Sequence, residues 1–414
     1  MKTLKNRIVQ SLSYCKVLLK WFVIASVVGA FGGVLGSLFH ISIDYATEYR
    51  AEFPWLIYFL PLGGLVITLL YRLAKSAGHL DTNRVLDSVR TEEKVPTVMA
   101  PLIFVSTVLT HLLGGSAGRE GAALQLGGSI GYRLGKVFRL NEKDMHLIVM
   151  AGMSAVFSAL FGTPLTALFF ALEVTTVGVM YYACFVPCAI SALAASVIAK
   201  LFGLSPVHFE GIVFPELGAG LLGKLLVLTI LCALVSILFY TAIHKCEHYA
   251  QKWFSNPYLR SFVGGVILVL LTVLVQTRDY NGAGMDVITD AMAGQAKPEA
   301  FLLKILFTAI TIAAGFKGGE IVPAFFVGST FGCAVGGLLG LDPGFSAAVG
   351  CIALFCGAVN CPIASLFLAF ELFGGEALLL FALVCGVSYM MSGYGGLYKS
   401  QKIMQSKLEV KMME

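Results

Sequence analysis

The segment Gly115-Ser-Ala-Gly-Arg-Glu-Gly121 sets one carboxylate, Glu120, between the apolar runs Leu112-Leu113-Gly114 and Ala122-Ala123-Leu124-Gln125-Leu126. A charged carboxylate in hydrocarbon costs at least ~2.5–3.5 kcal/mol, so packing alone does not account for it. The glycines around it let backbone amides approach a ligand unobstructed by Cβ. A glycine-rich turn opening an apolar helix is also suited to holding an anion on its free amides. These residue types predict an anion that competes with the Glu120 carboxylate for one site.

The surroundings of that site are membrane. Of 414 residues, 57% are apolar and 13% charged, against about 25% charged in soluble domains. The chain therefore reads as an all-α polytopic membrane protein. Its 45 glycines suit close helix packing and broken helices. The net charge of +5 comes largely from Lys2, Lys5, Arg7, Lys16 and Lys20 at one end and Lys399, Lys402, Lys407 and Lys411 at the other. By the positive-inside rule both termini face the cytoplasm. The basic residues run on to Lys20 with no cleavage signal after Trp21, which argues against a signal peptide. Nothing suggests a nucleic-acid partner. The ten cysteines lie in apolar segments without a Cys-x-x-Cys pair or a zinc spacing, so they read as small buried hydrophobes and no metal or cofactor is expected. No Ser-His, zinc or phosphate-loop constellation supports an enzyme.

Long spans are expected at 19–40, 54–74, 180–203, 219–243 and 259–276. Shorter, Gly/Pro-punctuated apolar segments occur in both halves, a pattern associated with transporter sites built from broken helices. An internal repeat organises them. Thr163-Pro-Leu-Thr-Ala-Leu-Phe-Phe-Ala-Leu-Glu173 aligns with Cys361-Pro-Ile-Ala-Ser-Leu-Phe-Leu-Ala-Phe-Glu371 at an offset of 198. Gly115, Gly118, Glu120, Gly128 and Ser129 align with Gly315, Gly318, Glu320, Gly328 and Ser329 at an offset of 200. One transmembrane transport domain over 1–414 is expected, in two halves at roughly 17–205 and 217–400, parallel or inverted. Broken helices favour the inverted arrangement. No cytoplasmic regulatory domain is expected after residue 400.

These motifs resemble those of the CLC family of anion channels and anion/proton antiporters, over nearly the whole chain. Gly115–Ala122 is similar to the family's G-S-G-R-E-G-P block, Gly319-Glu-Ile-Val-Pro323 to G-x-F-x-P, and Gly396-Leu-Tyr398 to its late tyrosine segment. The resemblance implies an inverted repeat of about eighteen tilted and partial helices, in a homodimer with one pathway per subunit. It implies that Glu120 is the gate, occupying an anion site when charged and leaving it when protonated. It also implies that Tyr398 hydrogen-bonds the anion, and that amides of Gly118, Glu320, Ile321 and Val322 line the site.

Three departures narrow the branch. The first family motif, G-S-G-I-P, is replaced by Ala77-Gly-His-Leu-Asp-Thr-Asn-Arg-Val-Leu-Asp87. Ile321 stands for the phenylalanine of the second motif, and Val174 follows Glu173 where chloride-type antiporters carry a second glutamate. All three resemble a bacterial branch that exports fluoride in exchange for protons, which implies a multi-pass plasma-membrane protein with fluoride and protons as its ligands. A chloride-type channel or chloride/proton antiporter is the alternative.

Fluoride needs dense donors to replace its water, because an unpaired desolvated charge is costly. Asn83, Thr82 and Tyr398 offer an amide NH2 and two hydroxyls. Asp81 would repel an anion if ionised; it or Thr82 is expected to cap the helix through Arg84–Val89. His79 is either a loop histidine or a proton relay. Lys317 either pairs with Glu320 or raises the anion concentration in a vestibule. Arg119 is expected to bind a carbonyl or carboxylate and hold the Glu120 loop. Glu173 and Glu371 are expected to face cytoplasmic water or pair with a basic side chain, with proton entry as the alternative for Glu173.

Overall fold

The computed structural model describes residues 2–74, 80–91, 93–216, 218–409 and 412. His79 lies outside the described residues. Among the described residues there are sixteen α-helices and two short 3-10 helices, which together match the expected number.

The first half comprises α1 (Lys2–Glu52), α2 (Leu60–Leu73), α3 (Thr82–Ser88), α4 (Met99–Leu113), α5 (Glu120–Val137), α6 (Glu142–Phe161), α7 (Pro164–Glu173) and α8 (Phe185–Leu201). The second comprises α9 (Ala219–Trp253), α10 (Pro257–Val275), α11 (Met285–Met292), α12 (Ala300–Ala313), α13 (Ile321–Leu338), α14 (Pro343–Val359), α15 (Pro362–Phe373) and α16 (Leu378–Met391). The same series of long and short helices runs twice. The stubs α3 and α11 have 7 and 8 residues, and α5 and α13 have 18 each.

The punctuation seen in the sequence sets the boundaries. Pro164 and Pro362 open α7 and α15 at their first positions, where the missing N–H is not needed. Gly114 and Gly162 end α4 and α6 in left-handed conformation (φ 89° and 68°), a turn only glycine makes without strain. The five long spans are present, but α1 and α9 extend past the hydrophobic windows, with 51 and 35 residues. At 1.5 Å per residue, α1 is roughly 75 Å long, more than a bilayer requires. Two further helices, α6 and α13, are also long and apolar enough to cross a membrane.

Helices α5 and α6 approach closely because a Cβ at Gly127 or Gly131 would collide with the carbonyls of Gly152 and Ile148. The counterpart pair α13 and α14 does the same, with Gly328 and Gly332 against the carbonyls of Gly350 and Ser346. Small residues are what permit such contact between membrane helices.

Two exchanges across the molecule are reciprocal, as a two-fold relation requires: one between backbones, the other between carboxylates and helix starts. Gly118 and Gly319 trade N–H···O bonds of 2.7 Å each in an antiparallel bridge. Glu173 accepts from the Ile363 and Ala364 amides (3.2 and 2.7 Å) at the start of α15. Glu371 accepts from the Leu165 and Thr166 amides (both 2.9 Å) at the start of α7. Such contacts relate the two halves by a two-fold axis, in keeping with the inverted repeat that the resemblance implies. Beside it, strand β1 (Thr176–Val177) pairs in parallel with β2 (Lys402–Ile403), tying the C-terminal segment to the end of α7.

These bonds correct the expectation for Glu173 and Glu371. Neither carboxylate pairs with a basic side chain; each, Glu173 buried and Glu371 half-buried, satisfies the orphan amides of the opposite repeat's helix. The expectation failed because proline at the first helical position marks the helix start but not the distant residue that caps it.

Candidate functional site

Glu120 is the first residue of α5 and is fully buried. Its Oε2 accepts a hydrogen bond from the Val322 amide, 3.2 Å away, in the first turn of α13. Its Oε1 is buried without a hydrogen-bond partner. Two helix N-termini from opposite repeats thus converge on one carboxylate, and the partial positive charge of each favours an anion there. Gly319 is required at this point: a Cβ on it would lie 2.6 Å from Glu120 Oε2 and 2.7 Å from the Glu120 nitrogen.

The loop preceding α5 is held from all sides. Besides the Gly118–Gly319 bridge, the Ser116 amide donates to Thr311 Oγ1 (3.0 Å), and the Ser116 and Thr308 hydroxyls bond at 3.0 Å. Arg119 pairs with Asp44 of α1 at 3.1 Å, and Asp44 in turn contacts His40 Nε2 at 2.9 Å. The arginine therefore finds a carboxylate, as expected. Its partner was not named from the sequence, although an acidic residue inside the longest apolar helix is a signal that could have found it.

A polar vestibule of about 830 Å³ is lined by Gly118 and Gln125, which flank Glu120 in sequence, and by Glu320. Its lining brings together most of the expected site: Thr82, Asn83, Gly118, Glu320 and Tyr398. Tyr398 is 5% exposed, and its hydroxyl is buried with no hydrogen-bond partner. Thr82 is buried, donates to the Gly121 carbonyl (3.3 Å) and accepts from Gln125 Nε2 (3.1 Å). Asn83 is already engaged at both ends of its amide: Nδ2 donates to Asp81 Oδ2 (3.3 Å), and Oδ1 accepts from the Ser400 amide (3.0 Å). Asp81 caps α3 by accepting from the Arg84 amide at 3.1 Å. Ile321 and Val322 are buried in the first turn of α13.

Lys317 forms no ion pair with Glu320. Its ammonium lies 4.6 Å over the Tyr71 ring, and the residue lines the vestibule. Gln125 is the site residue that sequence reasoning missed. Buried one and a half turns into α5, it bridges to Thr82 and leaves its own Oε1 without a partner. A glutamine inside an apolar glycine-rich helix was its signal.

Among the described residues no cluster of three or more His, Cys, Asp or Glu is placed to hold a metal. The arrangement is one of two carboxylates, Glu120 and Glu320, at repeat-related helix starts, with unused donor capacity at Tyr398. It can bind a small anion, and it can exchange that anion for a carboxylate.

The Voltage gated chloride channel family profile matches residues 62–393. The chain belongs to this CLC family. A Chloride/fluoride channel protein of Pseudomonas syringae pv. tomato is 35% identical over 412 residues, 97% of this chain and 91% of that protein. An H(+)/Cl(-) exchange transporter ClcA of Vibrio campbellii is 25% identical, over 86% of this chain and 82% of its own. The crystal structure of a CLC-type fluoride/proton antiporter superposes with a TM-score of 0.89 at 33% identity, covering 93% of this chain and 98% of the other. That of a slow cyanobacterial Cl-/H+ antiporter gives 0.78 at 21% identity, with 91% and 96% covered, a likeness of fold.

Proposed function

We propose that this CLC protein is a fluoride/proton antiporter that exports fluoride from the cytoplasm, driven by inward proton movement. The observation that carries the reading is the seat of Glu120: a dry carboxylate on the Val322 amide at the start of α13, in the place an anion would take. A proton on Glu120 removes the charge held there, so the carboxyl can leave and fluoride can enter. Fluoride arriving with the gate displaced meets the Val322 amide and its neighbours, the Tyr398 hydroxyl, and the Thr82 and Asn83 side chains after local rearrangement. Glu320, the counterpart of Glu120 in the other repeat, lies at the vestibule wall.

Fluoride is favoured over chloride by the missing Ser-Pro element near residue 80 and by the likeness to the fluoride/proton antiporter. Chloride transport is the competing reading, because relatives named for chloride exchange also match over most of the chain. The same reading places the chain as one transport domain in a bacterial plasma membrane, with both termini cytoplasmic and two copies per assembly. The test is ion efflux from liposomes holding purified protein, read separately for fluoride and chloride. Fluoride efflux that leaves chloride behind supports the proposal; equal efflux of both supports the chloride reading.

A further inference from the structure

A second cavity, of about 600 Å³, lies between α2 and α10 at one end of the helix bundle. Arg72, Arg260 and Lys317 line it together with Thr68, Asn256 and Tyr258, and no carboxylate is among its lining residues. Arg72 is the next-to-last residue of α2 and Arg260 the fourth of α10, so both cations sit at helix ends, where a bilayer gives way to water. Tyr249 and Trp253, stacked 5.7 Å apart and exposed just before α10, are aromatics of the kind that mark that boundary.

Glu247 acts electrostatically on Arg260 and Lys317, and Asp81 and Glu320 act on Lys317, without direct pairing. Among the described ion pairs, none includes Arg72, Arg260 or Lys317. The Arg72 guanidinium lies 5.6 Å over the Tyr258 ring, and Lys317 lies over Tyr71. Aromatic faces orient such groups without cancelling their charge. The Nε of Arg260 is buried without a partner. Beside it, Thr68 Oγ1 of α2 donates to Ser261 Oγ of α10 (3.1 Å) and ties the two helices together.

Next to the cavity runs an exposed apolar surface: Val66, Leu69 and Leu73 on α2, Leu259 and Phe262 on α10. Two guanidinium groups and an ammonium suit a phosphate oxyanion, and an apolar face beside them suits acyl chains. We propose that this pocket binds the phosphate headgroup of an anionic phospholipid, with its chains lying along α2 and α10. Basic pockets between transmembrane helices are where such headgroups bind. Arg260 and Lys317 also line the vestibule, so a bound headgroup takes cationic charge from the anion's entrance. The binding claim itself does not depend on which anion is transported.

The test is native mass spectrometry of the full chain in detergent. Phosphatidylglycerol and phosphatidylcholine of the same acyl chains are added in turn, alone or with inorganic phosphate. Phosphatidylglycerol should be retained at least tenfold better than phosphatidylcholine. Arg72→Gln/Arg260→Gln should lose that preference, and Arg72→Lys/Arg260→Lys should keep it. Inorganic phosphate that displaces the lipid at millimolar concentration supports the phosphate site with the free ion as ligand. Equal retention of the two lipids, or undiminished retention by the glutamine variant, overturns the proposal. Should the glutamine variant not fold, photoreactive phosphatidylglycerol on the unaltered protein decides: crosslinks on α2 and α10 support the site, and crosslinks elsewhere overturn it.

Discussion

At Tyr398, a buried hydroxyl with no hydrogen-bond partner stands beside a vestibule and is costly unless something uses it. On the account proposed here, the user is the anion. Tyr398→Phe removes only that hydroxyl. It should weaken fluoride binding by the worth of a hydrogen bond to a charged group, about 1.5–3 kcal/mol, with the melting temperature unchanged or raised. Calorimetry and a melting curve check it, and normal fluoride affinity would remove Tyr398 from the site. Asn83 calls for a different expectation. Its amide joins Asp81 to the Ser400 backbone, so Asn83→Ala should lower stability by about 1 kcal/mol besides weakening binding. The melting curve separates it from Tyr398→Phe. At this scale the sequence was informative where chemistry and motif coincide: Glu120 stood out because a charge in hydrocarbon has few explanations. It was silent on Asp44, Gln125 and the pairing state of Asn83, because those depend on contacts with residues distant along the chain.

The elements were legible in the punctuation of prolines and glycines and in the repeat, which together placed the short helices. What could not be read was the cross-capping by Glu173 and Glu371, since the amides they serve are 190–191 and 205–206 residues away. The caps bind the repeats to each other through carboxyl–amide hydrogen bonds. Glu371→Gln keeps shape and one acceptor and removes the charge; it should lower stability by about 1–2 kcal/mol, seen as a lower melting temperature. Glu173→Gln, at the more deeply buried site, should cost at least as much. A melting temperature unaffected by either change would mean that the packing of α7 against α15 suffices without the caps. The overlong α1 and α9 escaped sequence reading for a simpler reason: hydropathy marks where a helix is apolar, not where it continues into water.

For the molecule as a whole, the two-fold arrangement of repeats sets the site where their helix starts meet, and the departure of Val174 from the two-glutamate pattern leaves Glu120 as the proposed proton carrier. The homodimer proposed for the assembly should appear as a single crosslinked species of twice the chain mass in detergent; monomer alone would count against it. An aligned repeat shows two halves but not how they face each other, because that depends on contacts between residues distant along the chain. The central claim is that one carboxylate takes turns with the anion and the proton. Its most direct test is simultaneous recording of fluoride efflux and proton uptake in liposomes, for the wild type and for Glu120→Gln. Wild-type efflux should draw protons inward against an imposed electrical or pH bias, and Glu120→Gln should show no proton movement tied to fluoride. Proton-coupled fluoride exchange at the wild-type rate in Glu120→Gln would contradict the account.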